Sequence, residues 1–354
     1  MWRGQRNHNT RGLRFNLRSK NFYIVSLILL SLVGLVLWQY PKQPAQVSLA
    51  PIEPVLASHS HEPIQPIPRY LALDPQKVKL GEQLFHDSRL SHDNTIACAS
   101  CHQLKTGGTD RRVHSIGING TVGFVNAPTV FNSGFNFKQF WDGRAETLEA
   151  QIDGPTHTNH EMGSSWPEII AKLRQSSQYA SSFSQIYPEG ITSDTIKDAI
   201  ATFERSLYTP NSRFDQFLRG DSDALSAAEK AGYQRFKVYG CISCHQGMQL
   251  GGNMFQTFGV MGNYLSDRGH ITPADLGRFR VTQAEPDRYV FKVPGLRNVT
   301  LTAPYFHDGS AATLDAAVKV MAKYQLGRQI PQTDVDLIIK FFQTLTGEYQ
   351  GRPL

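Results

Sequence analysis

Cys98-Ala99-Ser100-Cys101-His102 and Cys241-Ile242-Ser243-Cys244-His245 repeat one five-residue pattern, and together they use all four cysteines of the chain. A disulfide does not need the following histidine. Zinc sites built from two Cys-x-x-Cys pairs space them about 15–20 residues apart, whereas these begin 143 residues apart. A thioredoxin-like redox site needs one such pair beside a βαβ pattern, and neither copy has that neighbourhood. What remains is covalent attachment of c-type haem. Each thiol pair bonds the haem vinyl groups, and His102 or His245 turns back to the iron. The sixth position on each iron then decides between electron storage and chemistry.

The elements that hold these residues are also duplicated. "APTVFNSGFNFKQFWDGRAETLEAQI" (127–152) aligns without a gap on "VPGLRNVTLTAPYFHDGSAATLDAAV" (293–318). Pro128 matches Pro294, Asn132 matches Asn298, and Gly143 matches Gly309. Each segment follows its own cysteine motif, so two related haem domains are expected. The copies diverge where chemistry would differ. Trp141 stands opposite His307, the first copy leads to Glu161, and the second leads to Met321. Periodicity predicts mainly helix. Ile196, Ile200, Phe203 and Leu207 share one helical face. Capping boxes are expected at Ser165/Glu168 and Ser226/Glu229. A last helix is expected to begin at Thr333 and to bury Val335, Ile338, Ile339, Phe342 and Leu345.

The formal charge of +6 lies at one end: residues 1–20 hold six cations and no acid. The rest is formally neutral, which argues against a nucleic-acid surface. The uncharged stretch 22–38 is near the lower limit for a membrane-spanning helix. With the cations on its cytoplasmic side, it reads as an uncleaved signal anchor. A cleaved signal peptide is the competing reading. The expected organisation is a basic cytoplasmic tail (1–20), a transmembrane anchor (21–40), a Pro-rich linker (41–69), an N-terminal haem domain (70–215), a C-terminal haem domain (216–348) and a tail (349–354).

The stretches "LGEQLFHDSRLS", "CASCHQLKTGGTD", "QFWDGRAETLEAQ", "GCISCHQG" and "LRNVTLTAPYFHDG" resemble the bacterial dihaem cytochrome c peroxidases, a family that includes the MauG-type enzymes. The resemblance covers about residues 70–348. It implies two covalently bound haem c groups, and reduction of hydrogen peroxide to two waters by two electrons and two protons. It makes the N-terminal haem, on Cys98, Cys101 and His102, the peroxidatic one. The C-terminal haem, on Cys241 and Cys244 with axial His245 and Met321, would transfer electrons. Glu161 would move the proton between the peroxide oxygens, with Gln151 as its polar partner, and Trp141 would relay electrons. Asn126 and the backbone carbonyls of Thr302 and Pro304 match the family's calcium site. The implied setting is the bacterial periplasm at the inner membrane. A soluble cytochrome c or a cupredoxin is the implied donor, quinol is a further option, and a homodimer is an implied assembly.

One loop departs from the family pattern. Many members close the peroxidatic iron with a distal histidine in "SIGHG", whereas this chain reads "HSIGING" with Ile118 at that position. Either the site stands open, or His114 takes the distal place. Two other functions compete with the peroxidase: a MauG-like oxidase of a partner protein, which would use Tyr where this chain has Met321, and a dihaem electron carrier without catalysis.

Overall fold

The computed structural model describes residues 62–354. The expected tail and anchor, and most of the linker, lie outside the described residues. Among the described residues no helix is long and apolar enough to cross a membrane.

The architecture is mainly helical. Its longer helices are α1 (Pro75–Phe85), α2 (Leu148–His157), α3 (Trp166–Arg174), α4 (Ser177–Ile186), α5 (Ser193–Ser206), α6 (Ala227–Tyr239), α7 (Leu314–Val320) and α8 (Gln332–Gln343). Strand β1 (Phe255–Thr257) pairs antiparallel with β2 (Val290–Lys292), in the register Phe255 to Lys292. A second small hairpin joins Glu348–Tyr349 to Arg352–Pro353.

Two helix pairs organise two cores. α1 packs on α5, and α6 packs on α8. Both crossings depend on a glycine. A Cβ at Gly81 would overlap the carbonyl oxygen of Ala199, and one at Gly232 would overlap that of Leu337. The close approach seats Leu80, Leu84, Ile196, Ile200 and Phe203 in one core. Tyr233, Phe236, Ile338 and Phe341 fill the other.

The repeat seen in the sequence is a repeat in space. Ser133–Phe135 and Val299–Leu301 are equivalent 3-10 turns. Gln139 bridges Ala145, just as Tyr305 bridges Ala311. Thr147 and Thr313 cap α2 and α7 through Ala150 and Ala316. Asn132 and Asn298 both take positive φ. Both also donate to the hydroxyl of fully buried Thr209, at 2.8 and 3.0 Å. The two copies therefore meet at one threonine.

Several local expectations need correction. Ser226/Glu229 is a capping box, but Ser165 makes no side-chain cap on α3. Glu168 is held instead by Lys172 at 2.7 Å and His92 at 3.1 Å, and these ion pairs outcompete the box. α8 begins at Gln332 after Pro331, which suits a helix start. Phe341 rather than Ile339 fills that helix's buried face. Residues 62–69 are not a solvated spacer. Ile64 and Ile67 are buried, Ile67 donates to Asp215 at 3.2 Å, and Glu62 binds Tyr233 and Lys237. In return Tyr349 packs edge-to-face on Phe131, with ring centres 5.2 Å apart. The segment before the first copy thus packs on the second core, and the segment after the second copy packs on the first.

Glu204 on α5 is a cost inside the first core. Among the described residues its Oε2 has no hydrogen-bond partner, and neighbouring Arg205 is paired with Glu149 at 2.7 Å. Burial pushes its pKa up to about 8. A raised folded-state pKa means stability is fully present below about pH 4.5 and is lost as pH rises towards 8. Glu204→Gln, compared with the parent by chemical denaturation, is expected to match it at pH 4.5. It is expected to exceed it by on the order of a few kcal/mol at pH 8.

Candidate haem and proton-transfer sites

Cys98–Cys101 form a single helical turn, with His102 closing it. In the second copy Cys241–Ser243 form a 3-10 turn after Gly240, which ends α6 in the left-handed conformation. No disulfide joins any two of the four cysteines. Burial pushes Cys98 up to about 12 and Cys241 up to about 11. Such thiols are poor metal thiolates and poor redox nucleophiles.

The histidines are prepared as ligands. Nδ1 of His245 faces the carbonyl oxygen of Leu250 at 3.0 Å, and Nδ1 of His102 faces that of Gly108 at 3.4 Å. This bond assigns the proton to Nδ1 and presents Nε2 as the lone-pair nitrogen. Burial lowers both pKa values and keeps the rings neutral, against the opposing pull of backbone carbonyls that include the equivalent Pro128 and Pro294.

The second copy surrounds a large, mostly apolar cavity. Cys241, Cys244, His245 and Met321 all line it, although Met321 is 76 residues beyond His245. α7 ends at Val320, and Met321 opens a π-helical turn through Gln325. Extending the gapless alignment puts Met321 opposite Pro155 of α2. Proline has no N–H to return to the carbonyl of Gln151, so α2 gives way to a turn that carries Glu161.

Glu161 is half-buried and close enough to Cys101 for its charge to act on that thiol. Its carboxyl has no hydrogen bond or ion pair with a described residue. Burial raises its pKa, while the charges of Arg144 and His160 pull it back. Its carbonyl oxygen accepts from the N–H of Ile118 at 2.9 Å, and the Ile118 side chain is buried against Gly163. Ile118 is thus fixed beside Glu161. His114 is half-buried in the same loop. Gln151 is half-buried on α2. His157 is turned to Ser164 at 3.0 Å and towards Trp166, while exposed His160 packs on Phe124.

Trp141 and His307, equivalent in the repeat, stand with ring centres 6.4 Å apart. Trp141 Nε1 donates to the carbonyl of Asn126 at 2.9 Å, and Asn126 N–H donates to the carbonyl of His307 at 2.7 Å. Asn126, Thr302 and Pro304 line the same cavity as Trp141.

Three buried features escaped sequence reading. Arg297 pairs with Asp215 at 2.7 Å, both almost inaccessible. His307 pairs with Asp275 at 2.8 Å; Asp275 is held far below the usual carboxylate range by His307 and Arg268, against the effect of burial. Lys292 is buried in "YVFKVPG". A single lysine in an apolar run was the available signal for it.

A family model described as di-haem cytochrome c peroxidase matches residues 75–223. A cytochrome c551 peroxidase of Nitrosomonas europaea is 46% identical over 291 residues, which is 82% of this chain and 85% of that protein. The chain belongs to the di-haem cytochrome c peroxidase family. Family members carry two haem c groups, in keeping with the two Cys-x-x-Cys-His motifs. Cytochrome c peroxidase Ccp of Escherichia coli is 54% identical over 292 residues, covering 82% of this chain and 62% of that protein. The chain therefore spans less than two thirds of the length of that relative. Among solved structures, a MauG-like protein associated with microbial copper homeostasis superposes with a TM-score of 0.69 at 28% identity, covering 84% of this chain and 95% of that one.

Proposed function

We propose that this chain is a cytochrome c peroxidase. It reduces hydrogen peroxide to two waters, with two protons and two electrons from a small c-type cytochrome on the periplasmic side. The observation that carries this reading is the half-buried Glu161 carboxyl, without a hydrogen-bonding partner among the described residues, beside the Cys101–His102 motif. The names of the relatives at 46% and 54% identity support the substrate, and "cytochrome c551 peroxidase" supports a cytochrome donor.

Cys98 and Cys101 attach the N-terminal haem and His102 is its proximal ligand. Cys241 and Cys244 would attach the C-terminal haem, and His245 and Met321, which line the same cavity, would supply its iron ligands. When bound, the haems supply an iron position for peroxide and a store for electrons. Glu161 takes a proton from one peroxide oxygen onto its carboxylate and returns it to the other. A carboxyl that spends no lone pair on a neighbour and sits in a partly dry pocket is suited to both steps. Gln151 would help to orient the peroxide, and Trp141, which lines the cavity of the second motif, would relay electrons. A calcium ion fits at Asn126, Thr302 and Pro304, because Asn126 commits its Nδ2 to the Arg112 carbonyl at 2.8 Å and leaves Oδ1 as an oxygen donor.

With Ile118 in place of the family's distal histidine, the chain would supply no ligand from this position to the peroxidatic iron. The Ile118 side chain cannot ligate, and its N–H is tied to Glu161. The oxidised, as-isolated enzyme is then expected to show one high-spin haem by EPR and visible spectroscopy, and to react with peroxide without prior reduction. Two low-spin haems that react only after one-electron reduction would place another ligand, such as His114, on the iron. In that case His114→Ala converts the resting spectrum to high spin. Two low-spin haems that stay inert after half-reduction would leave an electron carrier. Met321 weighs against a MauG-like oxidase, which would have Tyr there.

A further inference from the structure

Lys292 is the last residue of β2 and ties that strand to the first copy of the repeat. All three residues of β2 are buried, and the N–H of Lys292 donates to the carbonyl of Trp141 at 2.8 Å. Its side chain lines the cavity that holds Cys241, Cys244, His245 and Met321. Its ammonium has no hydrogen bond and no ion pair with any described residue. Burial alone pushes its pKa down to about 8, with no protein charge opposing it. Among the described residues, no Asp or Glu lines this cavity. Of the other basic side chains that line it, Arg297 pairs with Asp215 and His307 is hydrogen-bonded to Asp275. A buried ammonium without an anion is unfavourable. The fold keeps one here and offers no carboxylate, so the anion must come with whatever fills the cavity. Haem brings two propionate carboxylates.

We propose that Lys292 is the counter-ion of a propionate of the C-terminal haem and raises the midpoint potential of that haem. This rests on the reading of the cavity as a haem site. A fixed cation favours the reduced iron, which carries one positive charge fewer. Lys292 acts through the propionate and is a positioning residue. It touches neither the peroxide nor the iron.

The test uses the full chain matured with haem. Haems are counted after alkaline pyridine treatment, and each midpoint potential is read by spectroelectrochemical titration. Resonance Raman follows the propionate bending bands. Lys292→Met is expected to keep two haems, to move the C-terminal potential negative and the N-terminal one little, and to shift a propionate band. Lys292→Arg is expected to stay near the parent. Two haems with unmoved potentials and bands in Lys292→Met would overturn the proposal. If Lys292→Met and Lys292→Gln both lose the C-terminal haem, Lys292→Arg decides. Retention in Arg supports a cation requirement, and loss in Arg as well assigns Lys292 to packing and overturns it. A parent chain with only one haem would instead overturn the reading of the cavity itself.

Discussion

Glu161→Gln is expected to lower kcat for peroxide by roughly 10²- to 10⁴-fold, the usual range for loss of a positioned proton-transfer group. Both haems should remain attached and the resting visible spectrum should be unchanged, because the substitution keeps the shape and removes only the titration. The parent should lose activity as pH falls, since the carboxylate form must accept the first proton. Burial raises the Glu161 pKa above the ordinary 4.5, with Arg144 and His160 opposing. The activity loss is therefore centred at a higher pH than for an exposed glutamate. Glu161→Gln removes that limb of the profile. Stopped-flow measurement of peroxide consumption against pH checks both statements. A variant within about threefold of the parent would exclude Glu161 as the acid–base group.

Met321→His should be equally damaging by a different route. A thioether opposite His245 favours the reduced iron, and a second imidazole favours the oxidised one. The potential of the C-terminal haem is expected to fall by on the order of a few hundred mV, within the roughly 0.8 V that axial ligands span. About 59 mV is a factor of ten in a one-electron equilibrium, so electron delivery from a mild cytochrome donor becomes strongly uphill. Steady-state turnover with that donor should drop by about 10²-fold or more. A strong artificial reductant should restore much of it, because Glu161 and the N-terminal site are untouched. Loss of turnover with both reductants would mean that Met321 holds the fold rather than the potential.

The chemistry was largely readable from residue types and spacing. Two Cys-x-x-Cys-His motifs are local, so the expectation of covalent haem attachment and of proximal histidines needed no tertiary information. The gapless repeat predicted the duplicated architecture, and its equivalent turns, bridges and caps all occur. The divergence of the repeat marked Trp141, Glu161 and Met321. The roles of Glu161 and Met321 came from the family resemblance, because a lone acid and a lone methionine carry no spacing signal.

Tertiary structure decided what long-range packing controls. The ring of Trp141 faces His307 because each copy contributes the same loop to one boundary. Residues 62–69 read as a linker by composition, but Ile64 and Ile67 find apolar cover on the second core and Asp215 satisfies the backbone. Glu168 left its expected cap for Lys172 and for His92, a partner 76 residues away. The emptiness of the Glu161 carboxyl, the unpaired ammonium of Lys292 and the acid-free wall around it are properties of a cavity. A sequence names the groups, but only the fold determines which of them are left without a partner.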